Sequence, residues 1–370
     1  MFKRIGMALL TLSLTTAIAG TGWAAPSPAQ IDVSQTSFDF DTAKPNSDAE
    51  FHHGLLLAVQ ADGDLVYYDR TGKQAFVLPE GIVPVTDFAE QRAVVKDSAT
   101  GRYGYINTKG IVAIPCQYES AGNLSGGVAH VVLAEGAGEA LIDRAGKVVT
   151  TLTEKYSSEF YFSDGLALAY APEGGKIGFI NTSGKLVIPY QYTEARGYSQ
   201  GLALVKNSAG LYGYINTAGK TVIPFKYKEG SGFSEGLASV KNAKGKWGFI
   251  NKQGKLSLPF QYENTGDFSE GLASVYNSAG KVGFINKQGK LVIGYQKYNR
   301  AFSFKEGIAL VGISNPADNS KDKYGYINTK GELLTKLIYT GESSSFSGGY
   351  AVGMTAQGTG YILTKRGLAQ

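Results

Sequence analysis

From residue 51 onward, apolar and polar positions alternate in runs of five or six, and the same run returns about every 35 residues. The clearest copy is Leu237-Ala238-Ser239-Val240-Lys241, a turn at Asn242-Ala243-Lys244-Gly245, then Lys246 to Asn251. A second turn, Asn251-Lys252-Gln253-Gly254, leads to Lys255 to Leu258, ended by Pro259. Runs of this length and alternation predict three strands per unit. Asn opens each turn because its side chain bonds the backbone two residues on, and Gly closes it because it enters positive φ without Cβ strain. Alternation puts Trp247, Phe249 and Asn251 on one side of the middle strand and Gly248 and Ile250 on the other. Position 249 recurs as Tyr67, Tyr105, Leu141, Phe179, Tyr214, Phe284, Tyr326 and Tyr361, and position 250 is nearly always Ile. A sheet that is apolar on both faces must be covered on both, and neighbouring units are the available cover. Gly248, mid-strand, predicts close approach by another group, which we take to be a neighbour's aromatic ring.

The turn glycines Gly72, Gly110, Gly146, Gly184, Gly219, Gly254, Gly289, Gly331 and Gly367 mark nine units, numbered one to nine below. A second landmark precedes the middle strand: Phe233-Ser234-Glu235-Gly236-Leu237-Ala238 and, in its sister units, Phe268 to Ala273 and Tyr198 to Ala203. A third follows the turn, as in Leu186-Val187-Ile188-Pro189-Tyr190-Gln191-Tyr192 and Thr221 to Tyr227. The expected fold class is all-β: a tandem array of about nine three-stranded β-meander repeats over residues 51–370, stable through inter-unit contacts. An open superhelical solenoid is the favoured form. A closed propeller-like ring is the alternative, because the last unit stops before a third strand while the segment Ile31 to Phe40 alternates like a strand and would complete it. Residues 26–50 are read as an acidic leader or capping strand.

These landmarks, at this period, resemble the WG-repeat (KWG-repeat) family of secreted and surface-associated bacterial proteins. The Trp of the family's motif stands only at Trp247; Tyr, Ile or Val replaces it elsewhere. The resemblance implies binding or structural roles and supplies no catalytic residues.

Composition agrees with strands: 49 Gly, 23 Tyr and 18 Phe in 370 residues, with 43% hydrophobic and 18% charged. Residues 1–25 pair Lys3 and Arg4 with an apolar stretch from Ala8 to Ala19 and small residues beyond, the pattern of a cleaved signal peptide. The protein is therefore expected to be exported, periplasmic or secreted, with no membrane span after cleavage. Cleavage removes two cations and lowers the formal net charge from +5 to +3, too little and too interleaved for nucleic acid. One cysteine forms no internal disulfide, and Cys116, at an aromatic-type position, is expected as a buried packing thiol.

No nucleophile elbow, phosphate loop or metal motif is present in the sequence. The adjacent His52 and His53 would point to opposite faces of a strand. The recurrent acids Asp164, Glu235, Glu270 and Glu306 are read as turn or cap residues, because a catalytic pair needs one unique site. The chain is thus expected to be a non-catalytic scaffold with no cofactor or metal, binding a protein or an envelope polymer. Two residue sets are candidates. The turn lysines Lys185, Lys220, Lys255 and Lys290 line a rim. Tyr103, Tyr212, Trp247 and Tyr324 share one recurrent position and would offer flat faces to sugar rings, the alternative of carbohydrate or cell-wall-polymer binding. A second alternative is an enzyme or inhibitor acting through the inserted loop near 314–322.

Overall fold

The computed structural model of the chain describes residues 30–32, 50–59, 64–152, 160–314, 318, 321–341, 343–356 and 360–365. The signal-peptide segment, most of the leader, and 315–317 with 319–320 of the inserted loop lie outside the described residues. The elements are strands, with one 3-10 turn at Ala134–Gly136. They form nine small antiparallel sheets, one per unit.

Unit six shows why the sequence folds this way. Leu237–Lys241 pairs with Trp247–Asn251 in the register Leu237↔Asn251 to Lys241↔Trp247, and Leu256–Tyr262 completes the predicted meander. The Asn251 side-chain oxygen accepts the backbone N–H of Gln253 (3.1 Å) and Lys255 (3.0 Å), fixing the turn as expected. The sheet has a fourth strand that sequence reading missed, the pair Glu229–Gly230 against Lys241 and Val240. Units two, three, five, seven and eight have an equivalent of this short first strand. In units two, four, five and six the long last strand is separated by a single residue from the short first strand of the next unit. Two residues are too few to give a distinct pattern.

Burial on both faces is explained by the neighbours. In unit five, Ile215 joins Ala203 and Val205 against Phe179, Ile188 and Tyr192 of unit four. Its chain neighbour Tyr214 faces the other way, with Leu202 and Leu204, against Phe233, Ala238, Val240 and Ile250 of unit six. The landmark aromatic of one unit sits edge-on to the motif aromatic of the unit before: Phe233 on Tyr214 (5.0 Å), Phe268 on Phe249 (4.9 Å) and Phe304 on Phe284 (4.9 Å). In units one, two, five and eight the motif Tyr hydroxyl donates to a backbone carbonyl of the next unit. Examples are Tyr105 to Gly122 (2.8 Å), Tyr214 to Ser231 (2.9 Å) and Tyr326 to Ser344 (2.7 Å). Cys116 is half-buried at the edge of the cluster between units one and two, less enclosed than expected.

The nine clusters close a circle. Phe51, Leu56, Ala58 and Tyr68 of unit one pack with Val352, Met354 and Ile362 of unit nine. The Ser347 hydroxyl donates to the Phe51 carbonyl (3.3 Å), the same bond that Ser234 makes to Phe268 (2.6 Å) inside the array. Lys305 reaches Glu50 (2.9 Å) and Arg70 lies over the Tyr350 ring (5.2 Å). Gln30–Asp32 adds antiparallel to Gly360–Thr364, completing the last sheet as the leader's alternation suggested. The tandem β-meander array is as expected. Of its two forms, the closed propeller-like ring is the one present, and the open superhelix is set aside. The reason is physical: an open end would leave the apolar faces of Leu56 and Val352 in water.

The mid-strand glycine has a different cause from the one expected. A Cβ on Gly213 would stand 2.7 Å from the Ile223 carbonyl oxygen; on Gly178, 2.3 Å from that of Ile188; on Gly248, 2.8 Å from that of Leu258. The approaching group is the backbone of the unit's own last strand, not a neighbour's ring. That strand bulges over the glycine, with Tyr212 opposite Tyr227 and Tyr214 already opposite Ile223. Gly213→Ala is expected to cost about 1–3 kcal/mol, because backbone must shift. Gly197→Ala, where a Cβ meets nothing within 4 Å, should cost far less. Paired urea denaturation curves of the two variants check this.

Candidate functional site

Three residues meet beside the turn at 207–211 in unit five. Glu194 comes from the short first strand, Lys206 ends the second and Tyr212 begins the third. Lys206 Nζ contacts Glu194 Oε1 (2.7 Å), the Tyr212 hydroxyl donates to Glu194 Oε2, and the ammonium lies 5.2 Å from the Tyr212 ring centre. The bonds from Lys206 and Tyr212 hold the Glu194 carboxyl below the usual carboxylate range. Burial, then the bond to Glu194, pushes the Tyr212 phenol up. Unit six repeats the group: Lys241 contacts Glu229 (2.7 Å) and lies over Trp247 (5.7 Å). Unit two keeps the cation and ring, Lys96 over Tyr103 (5.4 Å). The sequence singled out the rings; the acid and lysine partners were missed because Glu194 and Glu229 lie 18 residues upstream, in the unrecognised first strand.

The remaining candidates divide. Tyr103, Tyr212 and Trp247 are half-buried. Tyr324 is buried at 6% exposure, its ring beside Phe302 and over Gly312, so it lacks the free face foreseen for it. Lys185, Lys220, Lys255 and Lys290 are exposed, each directly after a turn glycine. Between units six and seven, Lys246, Tyr262, Glu263, Tyr276, Asn277 and Tyr295 are among the residues lining an open cleft of ≈ 470 Å³. Its walls come from two units, so no single repeat displays it. Among the described residues no group of three His, Cys, Asp or Glu is placed to hold a metal.

The repeated turn acids are structural, and the geometry says how. Glu235 and Gly236 both have positive φ (51° and 85°), the conformation of a two-residue hairpin turn. Asn or Asp is the usual first residue there. Glu is longer, and its carboxylate reaches the next unit's turn, accepting the Gly271 N–H (3.1 Å) and the Lys287 ammonium (2.9 Å). Asp164 takes Gly201, Glu270 takes Gly307 and Glu306 takes Gly349 in the same way. His53 occupies this place in unit one and accepts the Gln91 N–H (3.3 Å).

Nine β-meander units, each clasped to the next and the last packed on the first, define a closed tandem β-repeat protein. The WG containing repeat matches residues 103–133, 177–208, 212–247, 247–278, 283–315 and 324–352, and the chain belongs to that family. Among solved structures it is similar to a eukaryotic initiation factor, with a TM-score of 0.52 and 10% identity over 80% of this chain and 89% of that one. It is also similar to the computationally designed protein Ika8 (TM-score 0.43, 12% identity, 85% and 94% covered). BamB from Moraxella catarrhalis gives a TM-score of 0.41 at 12% identity, with 78% and 98% covered. At these identities the likeness to the initiation factor is one of fold alone. No curated protein matches the chain. Among the described residues no helix is long and apolar enough to cross a membrane.

Proposed function

We propose that the protein is an exported, non-catalytic repeat scaffold that binds a protein or an envelope polymer outside the cytoplasm. The observation that carries this reading is the recurrence of one lysine–acid–aromatic group at the same end of adjacent units, Glu194–Lys206–Tyr212 and Glu229–Lys241–Trp247. A group presented again in the next unit suits a long partner that meets several copies at once, where each weak contact raises the effective concentration for the next. The positive patch at residues 1–4 and the apolar stretch after it support export.

Carbohydrate or cell-wall-polymer binding is the second reading, favoured by the partly exposed Trp247 beside the Lys241–Glu229 pair. A ring for stacking and a charged pair for hydroxyls are the two things a sugar face requires. Action as an enzyme or inhibitor through the inserted loop rests on less: among its described residues, Ser314 bonds Asn299 (2.8 Å) and Asp318 bonds Lys321 (2.8 Å). The test is affinity capture from native envelope fractions and soluble cell-wall fragments. Tyr212→Ala with Trp247→Ala should weaken retention about tenfold or more while the strand circular dichroism signal is kept, given that such anchors are each worth about 1 kcal/mol or more. Retention untouched by the pair, or its loss on deleting only 315–320, would refute the proposal.

A further inference from the structure

The last strand of units two to seven carries a feature that packing does not require. Where it pairs with the middle strand, one residue is left unpaired in a bulge. Leu141 faces Thr150 and Ile142 faces Val148, which leaves Val149. The same shift leaves Val187 in unit four, Val222 in unit five and Val292 in unit seven. These valines are 48, 39, 40 and 44% exposed. Unit six has Ser257 at this place and unit two has Ala113, so the bulge itself needs no large apolar side chain. Unit six instead exposes the preceding residue, Leu256 (45%).

In units three to seven an exposed lysine stands two residues before the bulge: Lys147, Lys185, Lys220, Lys255 and Lys290. Units three to seven are consecutive, so lysine and aliphatic side chains alternate along one unbroken arc of the ring. The lysines at the opposite end of the hairpins, Lys206, Lys241 and Lys246, are matched by acids. Those of the arc follow turns that carry one acid, Asp143, among Asn181, Asn216, Asn251 and Asn286; the landmark acids Asp164, Glu235, Glu270 and Glu306 lie at the same end but are taken up by glycine N–H groups of the next unit and, for Glu235, by Lys287.

Backbone addition is blocked on much of this edge. Pro189, Pro224 and Pro259 sit inside the last strands of units four, five and six and remove a donor from each, which guards an edge against a further strand. What the arc offers is side chains: aliphatic tips with ammonium groups beside them. A soluble polyanion would satisfy the lysines and leave the valines in water. The headgroup region of a bilayer takes both, with valines at the acyl boundary and lysine stems extending their charge to the phosphates. We propose that this arc docks the ring reversibly on an anionic lipid surface. The proposal rests on the scaffold acting outside the cytoplasm, and it uses residues separate from the Tyr212–Trp247 rim.

The test uses the mature full-length chain and vesicles of phosphatidylcholine, with or without phosphatidylglycerol, in a sedimentation assay. Binding is expected to the phosphatidylglycerol vesicles, weakened by salt. A variant carrying Val149→Ser, Val187→Ser, Val222→Ser and Val292→Ser should bind about tenfold or more weakly while melting as the parent does, since serine already fills the bulge of unit six. Tyr212→Ala with Trp247→Ala should bind vesicles normally, so failure of the rim reading and failure of this one are distinguishable. No binding to either vesicle overturns the proposal. So does binding that the four serines leave unchanged and that soluble polyphosphate abolishes, because the lysines alone then suffice for a polymer.

Discussion

Above pH 10 the protein is expected to unfold within one to two pH units, with ionisation of its buried tyrosines and loss of strand signal in the same step. Tyr67, Tyr105, Tyr198, Tyr214 and Tyr326 are buried, and burial pushes each phenol far above its usual range. Each hydroxyl donates to a backbone carbonyl, so ionisation would also leave a buried acceptor unpaired. The sign follows. Below about pH 10 these phenols are neutral in both folded and unfolded chains and the stabilisation is fully present. Above it the unfolded chain releases protons that the folded one retains, and stability falls by about 1.4 kcal/mol per pH unit for each tyrosine. Five together lose about 7 kcal/mol per unit, against a total of about 5–15 kcal/mol for an ordinary fold. A pH titration following tyrosinate absorbance and circular dichroism together checks this. Ionisation of all tyrosines near pH 10 with strand signal intact would be the opposite outcome. Tyr214→Phe should reduce the slope by one tyrosine's share.

The second large effect falls at the seam. Phe51 is 4% exposed and stands where Phe233 and Phe268 stand in their units, its ring 6.0 Å from Tyr350. Phe51→Ala should cost about 3–5 kcal/mol, the usual range for a buried ring. Unlike Phe233→Ala at an internal interface, it should also raise amide exchange at Val352 and Met354 in unit nine, about 300 residues away in sequence. Equal exchange at those amides in both variants would show that the ends are not coupled.

Much of this architecture was legible because it is local. Asn216 and Asn251 announce their turns, and the adjacent apolar pair Tyr214–Ile215 shows a sheet covered on both faces before any neighbour is known. What was not legible depends on contacts a unit's width apart or more. Glu235 reads as a turn residue, but its reach to Gly271 appears only once the units are stacked. Gly213 reads as a close approach, but the approaching group is the bulged strand ten residues on, which alternation cannot reveal. Closure was ambiguous for the same reason: Phe51 repeats the landmark aromatic, but its partners lie at the far end of the chain. At the rim, the rings were found by recurrence, whereas Glu194 belongs to a strand too short to show a pattern.

The central claim is that the array closes on itself, with the ninth unit packed on the first, which brings the residue ahead of unit one within reach of unit eight. The Lys305–Glu50 contact (2.9 Å) tests it in the unaltered protein. A zero-length carbodiimide joins an ammonium to a carboxylate only where they touch, and Lys287–Glu235 (2.9 Å) and Lys206–Glu194 (2.7 Å) serve as internal controls. Peptide mass spectrometry of the cross-linked monomer should find Lys305 joined to Glu50 alongside both controls, with that link lost in Glu50→Gln. Both controls present with no Lys305–Glu50 link in the monomer would contradict a closed ring.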